Sequence, residues 1–209
     1  MMKKIQGVLE NTIVITKSEF ITHIYRVDSV LEVEAILDET RKKYWDATHN
    51  CYAYIIGENA EIQKCSDDGE PQKTAGAPMI DVLKKQGITN ILAIVTRYFG
   101  GTLLGAGGLV RAYSQSVSEC LKKAKFYDTK YQTKFMLTTS YQGYNALINN
   151  ISYITIMDSS FTDNVSIIGC SDIDKYNNLL NDLLACKIEV ISLNKIADVP
   201  IEILVDTLP

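Results

Sequence analysis

The 209-residue sequence is notable first for what it lacks. No apolar run approaches the roughly 20 residues that span a bilayer. Its start, Met1-Met2-Lys3-Lys4-Ile5-Gln6-Gly7, is basic without the apolar stretch of a signal peptide, which predicts a cytoplasmic protein with no membrane association. The five cysteines, at 51, 65, 120, 170 and 186, are odd in number and contain no C-x-x-C pair. Neither a disulfide framework nor a zinc ribbon is therefore expected, and reduced thiols are. Four prolines and twelve glycines exclude collagen-like and disordered chains. Only two histidines occur, His23 and His49, and neither sits beside a nucleophile elbow, so no Ser-His-Asp arrangement is expected. No cofactor is expected either.

Charge is divided unevenly. Up to Phe126 there are 16 basic and 15 acidic residues, and beyond it 5 basic and 10 acidic, so the two parts carry +1 and -5. This argues against a nucleic-acid surface running along the whole chain and leaves a local patch in the first part. Arg97, Arg111, Lys122, Lys123 and Lys125 face only Glu119 in their stretch and supply such a patch.

Hydrophobic patterning places the elements. Ile5 to Val27 reads as a hairpin breaking near Lys17-Ser18-Glu19, and Ser29 with Glu32 forms a capping-box signature before a helix to about Tyr44. Tyr52 to Ile56 reads as a strand. Ile91 to Val95, a continuous apolar run, predicts a central one. Helices are expected from about Met79 to Lys85 and from Gly107 to about Ala124. Beyond Phe126 the pattern restarts as β-α-β-β-α-β: strands near 132–139, 152–156, 165–170 and 187–193, helices near 141–149 and after Ser171 or Asp172. The reading is α+β in two domains, 1–126 and 127–209, the second a ferredoxin-like split βαβ domain.

Two motifs carry chemistry. Arg97-Tyr-Phe-Gly100-Gly101-Thr-Leu-Leu-Gly105-Ala-Gly107-Gly108-Leu-Val-Arg111 joins a buried strand to a helix, with five glycines in nine residues. Such a loop lets backbone approach a phosphate, the helix start offers free N–H groups, and Arg97 and Arg111 can fork onto oxygens. The alternative is close packing of helix on sheet. Neither the G-x-x-x-x-G-K-[ST] phosphate loop nor a full dinucleotide fingerprint is present, because Val110 takes the third glycine's place. The second motif, Cys65-Ser-Asp67-Asp68-Gly69-Glu70-Pro71-Gln-Lys73-Thr74, combines three carboxylates that suit a hard cation or a general base, but it lacks the calcium-loop spacing and reads equally as a solvated turn. His49 and Cys51 lie close by, without the further ligands a metal site needs. No metal is expected.

Together these segments resemble the IMPACT family, whose bacterial members are the YigZ-like proteins. The resemblance is carried by Ala47-Thr-His49-Asn-Cys51-Tyr-Ala-Tyr54, by Asp67-Asp68-Gly69-Glu70-Pro71 with Thr74-Ala-Gly76-Ala-Pro78, and by Arg97 through Arg111. It implies a first domain similar to the second domain of a small-subunit ribosomal protein and the fourth domain of elongation factor G, an α/β sandwich. A ferredoxin-like domain follows, similar to those of translation factors. The family usually has glycine just before Thr-Ala-Gly, where this chain has Lys73. Eukaryotic relatives are linked to translational control through an additional N-terminal domain to which the resemblance does not extend.

The expectation is a translation-associated binding protein, more a binder than an enzyme, contacting RNA, the ribosome or another polyanion through Arg97, Gly100, Gly101, Gly105, Gly107, Gly108 and Arg111. His49, Asp67, Asp68, Glu70, Lys73 and Thr74 are candidate ligand or partner contacts. The acidic second domain, lacking the aromatic strand motif of RNA-recognition sheets, is assigned a protein partner. The competing expectations are an enzyme acting on a small anionic or phosphorylated substrate, which requires the two motifs to meet in space, and a protein-interaction adaptor.

Overall fold

In a computed structural model the chain is described from residue 2 to residue 205. It forms two compact units. One runs to Asp128 and is rejoined by the chain from Ile203; the other is Thr129–Glu202. The architecture is mixed α/β, with five helices among the described residues.

The first unit is built on a sheet of five strands, β2 (Val8–Ile15), β3 (Ser18–Arg26), β4 (His49–Ile56), β5 (Ile62–Ser66) and β6 (Ile91–Tyr98), in the order β2-β3-β6-β4-β5. A two-residue strand, β1 (Lys4–Ile5), pairs instead with Phe126 and Tyr127, where β7 (Phe126–Thr139) begins. β6 lies at the centre, antiparallel to both β3 and β4. Its unbroken apolar sequence follows from burial on both faces, where a strand cannot alternate with polar residues. Ile91, Ala93 and Val95 join the core under α2 (Gly76–Lys85) and α3 (Gly105–Leu121), while Leu92 and Ile94 meet Val33 and Leu37 of α1 (Val30–Lys43) on the other face. The helix start expected at Ser29 is present. Its hydroxyl accepts from the Glu32 amide, and Glu32 Oε2 accepts from the Asp28 amide. Such a cap contributes about 1 kcal/mol.

The edge strand β5 lies outside the strands expected from the sequence, because its residues are almost all exposed and do not alternate. The turn between β2 and β3 takes Thr16 and Lys17 through positive φ. Gly100 lies so close to this turn that a Cβ there would come 2.0 Å from the Lys17 carbonyl carbon, which accounts for the first glycine of the loop.

The second unit has the element order β7, α4 (Tyr141–Asn150), β8 (Thr155–Phe161), β9 (Val165–Asp172), α5 (Ile173–Ala185) and β10 (Ser192–Val205). β7 pairs with β9, β9 with β8, and β10 with β7. Phe135, Leu137, Val165 and Ile167 form one sheet face and pack with Leu147 of α4 and Leu179 and Leu183 of α5. On β7, Met136 falls out of phase with this buried set and is exposed, as is Met157 of β8. The last strand begins and ends later than its sequence pattern indicates, since exposed Asn194 and Lys195 hide the alternation.

Candidate functional site

The acidic loop after β5 is organised by its first two carboxylates. Asp67 Oδ1 accepts from the amides of Ala75 and Gly76 at 3.0 and 2.8 Å, and Oδ2 from the Lys73 amide at 2.7 Å. Asp67 therefore supplies from a distance the cap that Ala75, the residue before α2, cannot offer. Asp68 Oδ2 accepts from the Asn50 amide at 2.6 Å. Thr74 is buried and donates to the Pro71 carbonyl. Lys73 is exposed at φ 63°, a left-handed conformation that suits the glycine the family usually carries there. Asp67, Asp68 and Thr74 thus hold the loop together, and no cluster of three His, Cys, Asp or Glu side chains able to hold a metal exists among the described residues.

Glu70 is the carboxylate the loop delivers inward. Its side chain is 2% exposed, and Oε1 accepts from Arg97 Nη1 at 2.6 Å and from the Tyr113 hydroxyl at 2.7 Å. Arg97, 6% exposed, also donates from Nη2 to Ser18 Oγ, and its guanidinium lies 5.4 Å and 5.5 Å from the ring centres of Phe20 and Phe99. Its Nε has no partner among the described residues. Arg97 is therefore a buried, paired cation rather than one presented at the surface. Burial holds the Tyr113 hydroxyl far above the ordinary tyrosine range, so it stays protonated and donates to Glu70. The Cys51 thiol is pushed up for the same reason and lies 3.0 Å from the Asp67 carbonyl, which makes it a packed thiol rather than a nucleophile.

His49 opens β4 in register with Arg97 of β6. Its Nδ1 lies 2.8 Å from the Asp68 carbonyl, which fixes the ring, and Nε2 lies 3.8 Å from Glu70 Oε2. Thr48, His49, Gly69, Glu70, Pro71 and Arg97 line a cavity of about 340 Å³ together with Phe99, Leu103, Leu104, Gly105, Ala106 and Leu109. The acidic loop and the start of α3 thus meet in one cavity, the juxtaposition the enzyme reading requires. No side chain caps the first amides of α3. Gly101 and Gly105 adopt positive φ and are exposed, as is Gly107; Gly108 packs toward Leu104. The exposed Arg111 folds back along the helix, its Nη2 4.0 Å from where a Cβ on Gly107 would stand.

The basic patch is not gathered around this loop. Lys122 and Lys123 follow the far end of the 17-residue α3, about 25 Å along its axis. There Lys122 pairs with Glu119 and Lys123 donates to the Glu10 carbonyl. Tyr113, Ser18 and Leu103 belong to the site but escaped sequence reasoning. Tyr113 reads there only as one more apolar position on the buried face of α3. The 87% exposure of Leu103 at the cavity rim has no sequence signal.

A sheet with helices on both faces, with a polar-floored cavity at a glycine-rich helix start in the first unit, defines a two-unit mixed α/β protein. The Impact N-terminal domain model matches residues 16–121. The chain belongs to the IMPACT family. It is 44% identical over 158 residues to IMPACT family member YvyE of Bacillus subtilis, covering 75% of this chain and 73% of that protein. It is 40% identical over 129 residues to IMPACT family member YigZ of Escherichia coli, covering 61% of this chain and 63% of that protein. A solved crystal structure of a hypothetical protein matches 94% of this chain and 97% of its own, at 28% identity and a TM-score of 0.60. No helix among the described residues is long and apolar enough to cross a membrane.

Proposed function

We propose that this protein is a translation-associated binding protein whose first unit takes RNA phosphates at the start of α3. The observation that carries the reading is the exposed, uncapped first turn of α3, with the Arg111 guanidinium lying over Gly107. Free amides, the positive end of the helix dipole and one arginine converge where the absence of a Cβ admits a phosphate oxygen. The family match over residues 16–121 supports the translation-associated part of the reading. Arg97 acts here as the buried partner that holds Glu70, and Arg111 makes the phosphate contact.

Filter binding of single-stranded RNA at low salt tests the reading. Arg111→Ala is expected to weaken binding similarly across sequences, as a phosphate contact does. Absence of detectable RNA affinity at low salt refutes it. The cavity favours a second reading, an enzyme acting on a small anionic substrate with His49 as general base, because Glu70 and the α3 start share it. Turnover of a phosphomonoester panel that His49→Gln abolishes would establish that reading.

For the second unit the order β10-β7-β9-β8 supports a ferredoxin-like domain, and the exposed Met136 and Met157 support a protein-contact role.

A further inference from the structure

The two most exposed large apolar side chains among the described residues are Leu103, at 87%, and Trp45, at 82%. Both stand beside the cavity: Leu103 lines it, and Trp45 lies three residues before Thr48, which also does. The turn between α1 and β4 that carries Trp45 is tied down. The Ala47 amide donates to the Tyr44 carbonyl and the Thr48 amide to the Arg97 carbonyl at 2.9 Å. The Tyr98 hydroxyl donates to Asp46 Oδ1 at 2.9 Å, and the Phe99 amide to Thr48 Oγ1 at 3.1 Å. These bonds set Trp45 beside the end of β6, where Phe99 is 45% exposed with the Arg97 guanidinium over its ring. Aromatic rings held out in water by an ordered turn add no packing to the fold and mark a contact surface.

We infer that Trp45 and Phe99 form a stacking platform for bases of single-stranded RNA, continuous with the phosphate site at the start of α3. Phe99 lines the same cavity as Gly105 and Ala106, so a base on its ring has its phosphate within reach of the uncapped α3 amides. Arg97 lines that cavity too, and its buried Nε is a donor without a partner among the described residues. The cavity therefore favours an occupant rich in acceptors, as phosphate oxygens and base carbonyls are, whereas an apolar side chain seated there would leave the donor unmet. Trp45 is likewise open to a polyanion, because the last turn of α1 is basic and Asp46 is engaged by Tyr98. Stacking also supplies what charge does not. A chain of net charge -4 grips phosphate weakly, while every base, whatever the sequence, has a π-face to set on a ring. The inference rests on the RNA-binding reading and assigns the residues that hold the bases.

The test titrates the full chain with oligouridylate and with an abasic sugar–phosphate strand of the same length and charge, reading filter binding and the emission of Trp45, the only tryptophan. Oligouridylate is expected to quench Trp45 and to bind at least about five-fold more tightly than the abasic strand, the value of one stacked base. Trp45→Ala should weaken oligouridylate binding by about five-fold or more and leave the abasic strand's affinity unchanged. At so exposed a position the circular dichroism spectrum should not move. Trp45→Phe, which keeps a ring, should retain most of the binding, and Trp45→Leu, which keeps only apolar surface, should not. Equal affinity for the two strands with Trp45 emission unchanged, or wild-type binding by Trp45→Leu, overturns the stacking platform and leaves the phosphate reading standing. Absence of binding to either strand at low salt overturns the two together.

Discussion

Replacing Glu70 with alanine removes at once the acceptor of a buried guanidinium and of a buried hydroxyl. Among the described residues the Arg97 guanidinium then keeps only Ser18 as hydrogen-bond acceptor, and Tyr113 loses the group it donates to. Surface ion pairs contribute little, but both members of this pair are more than nine-tenths buried. Breaking such a pair from one side leaves an uncompensated charge and costs about 3–5 kcal/mol. With a urea dependence of about 2 kcal/mol per molar, that is a fall of roughly 2 M in the unfolding midpoint. Native-state hydrogen exchange at the β6 amides isolates the first unit from the second and is the measurement of choice. Glu70→Gln keeps an oxygen for both donors and should lose much less. The double change Glu70→Leu with Arg97→Met removes both charges and should recover most of the loss, since an apolar pair of similar volume replaces a buried ion pair at little cost. A Glu70→Ala protein within about 1 kcal/mol of wild type would show that the pair behaves as a surface bridge, and the account of a held, inward-facing carboxylate would fail.

Gly107→Ala meets no protein atom beyond the Arg111 side chain and should stabilise α3 by up to about 1 kcal/mol, while weakening RNA binding because the Cβ stands where the phosphate approaches; melting temperature and filter binding should move in opposite directions. Lys73→Gly should stabilise the first unit by about 1 kcal/mol, less the greater freedom of the unfolded chain, because φ 63° strains a lysine; urea denaturation measures it. His23 is buried, its Nδ1 without a partner among the described residues, and burial holds its pKa below the ordinary histidine value of 6.5, outweighing the Glu10 carboxylate 3.2 Å from Nε2 and acting with Lys43. The unfolded chain thus takes up a proton that the folded chain refuses, so this contribution to stability is intact above pH 6.5 and falls as pH drops below it; His23→Gln should flatten the denaturation midpoint over that range.

Features set by neighbours in sequence were legible from it. Ser29 and Glu32 cap α1 because three residues suffice for the exchange, and the two-sided burial of β6 is written in its unbroken apolar run. Features set by pairing across the sheet were not. Asp67, Asp68 and Glu70 look alike in sequence, yet two hold backbone amides and one is turned into a cavity. That sorting depends on where Asn50, Gly76 and Arg97 stand in three dimensions. Arg97 and Arg111 likewise bracket the glycine loop as apparent equals. Strand register brings Arg97 opposite His49 and over the buried Phe20, while Arg111 lies on the solvent side of a helix whose other face packs Tyr113 and Val117.

If the chain takes RNA as proposed, the same sorting of charge sets the salt dependence expected of an acidic chain of net charge -4. Of the cations near the glycine loop, Arg97 is neutralised by Glu70, and Lys122 and Lys123 lie at the other end of α3. Among the described residues that leaves Arg111 over the first turn of α3 and the exposed Lys17 in the turn beside Gly100 as the cations placed for phosphate at this loop, joined by backbone amides that carry no counterions to release. Each phosphate neutralised on a single strand contributes about -0.7 to the slope of log K against log salt. One or two contacts therefore predict a slope between about -0.7 and -1.5, and Arg111→Ala should make it shallower by about 0.7. Filter binding from low to moderate salt measures it directly. A slope steeper than about -4 would require six or more phosphate contacts, which the described cations at this loop do not supply, and would move the RNA surface away from the start of α3.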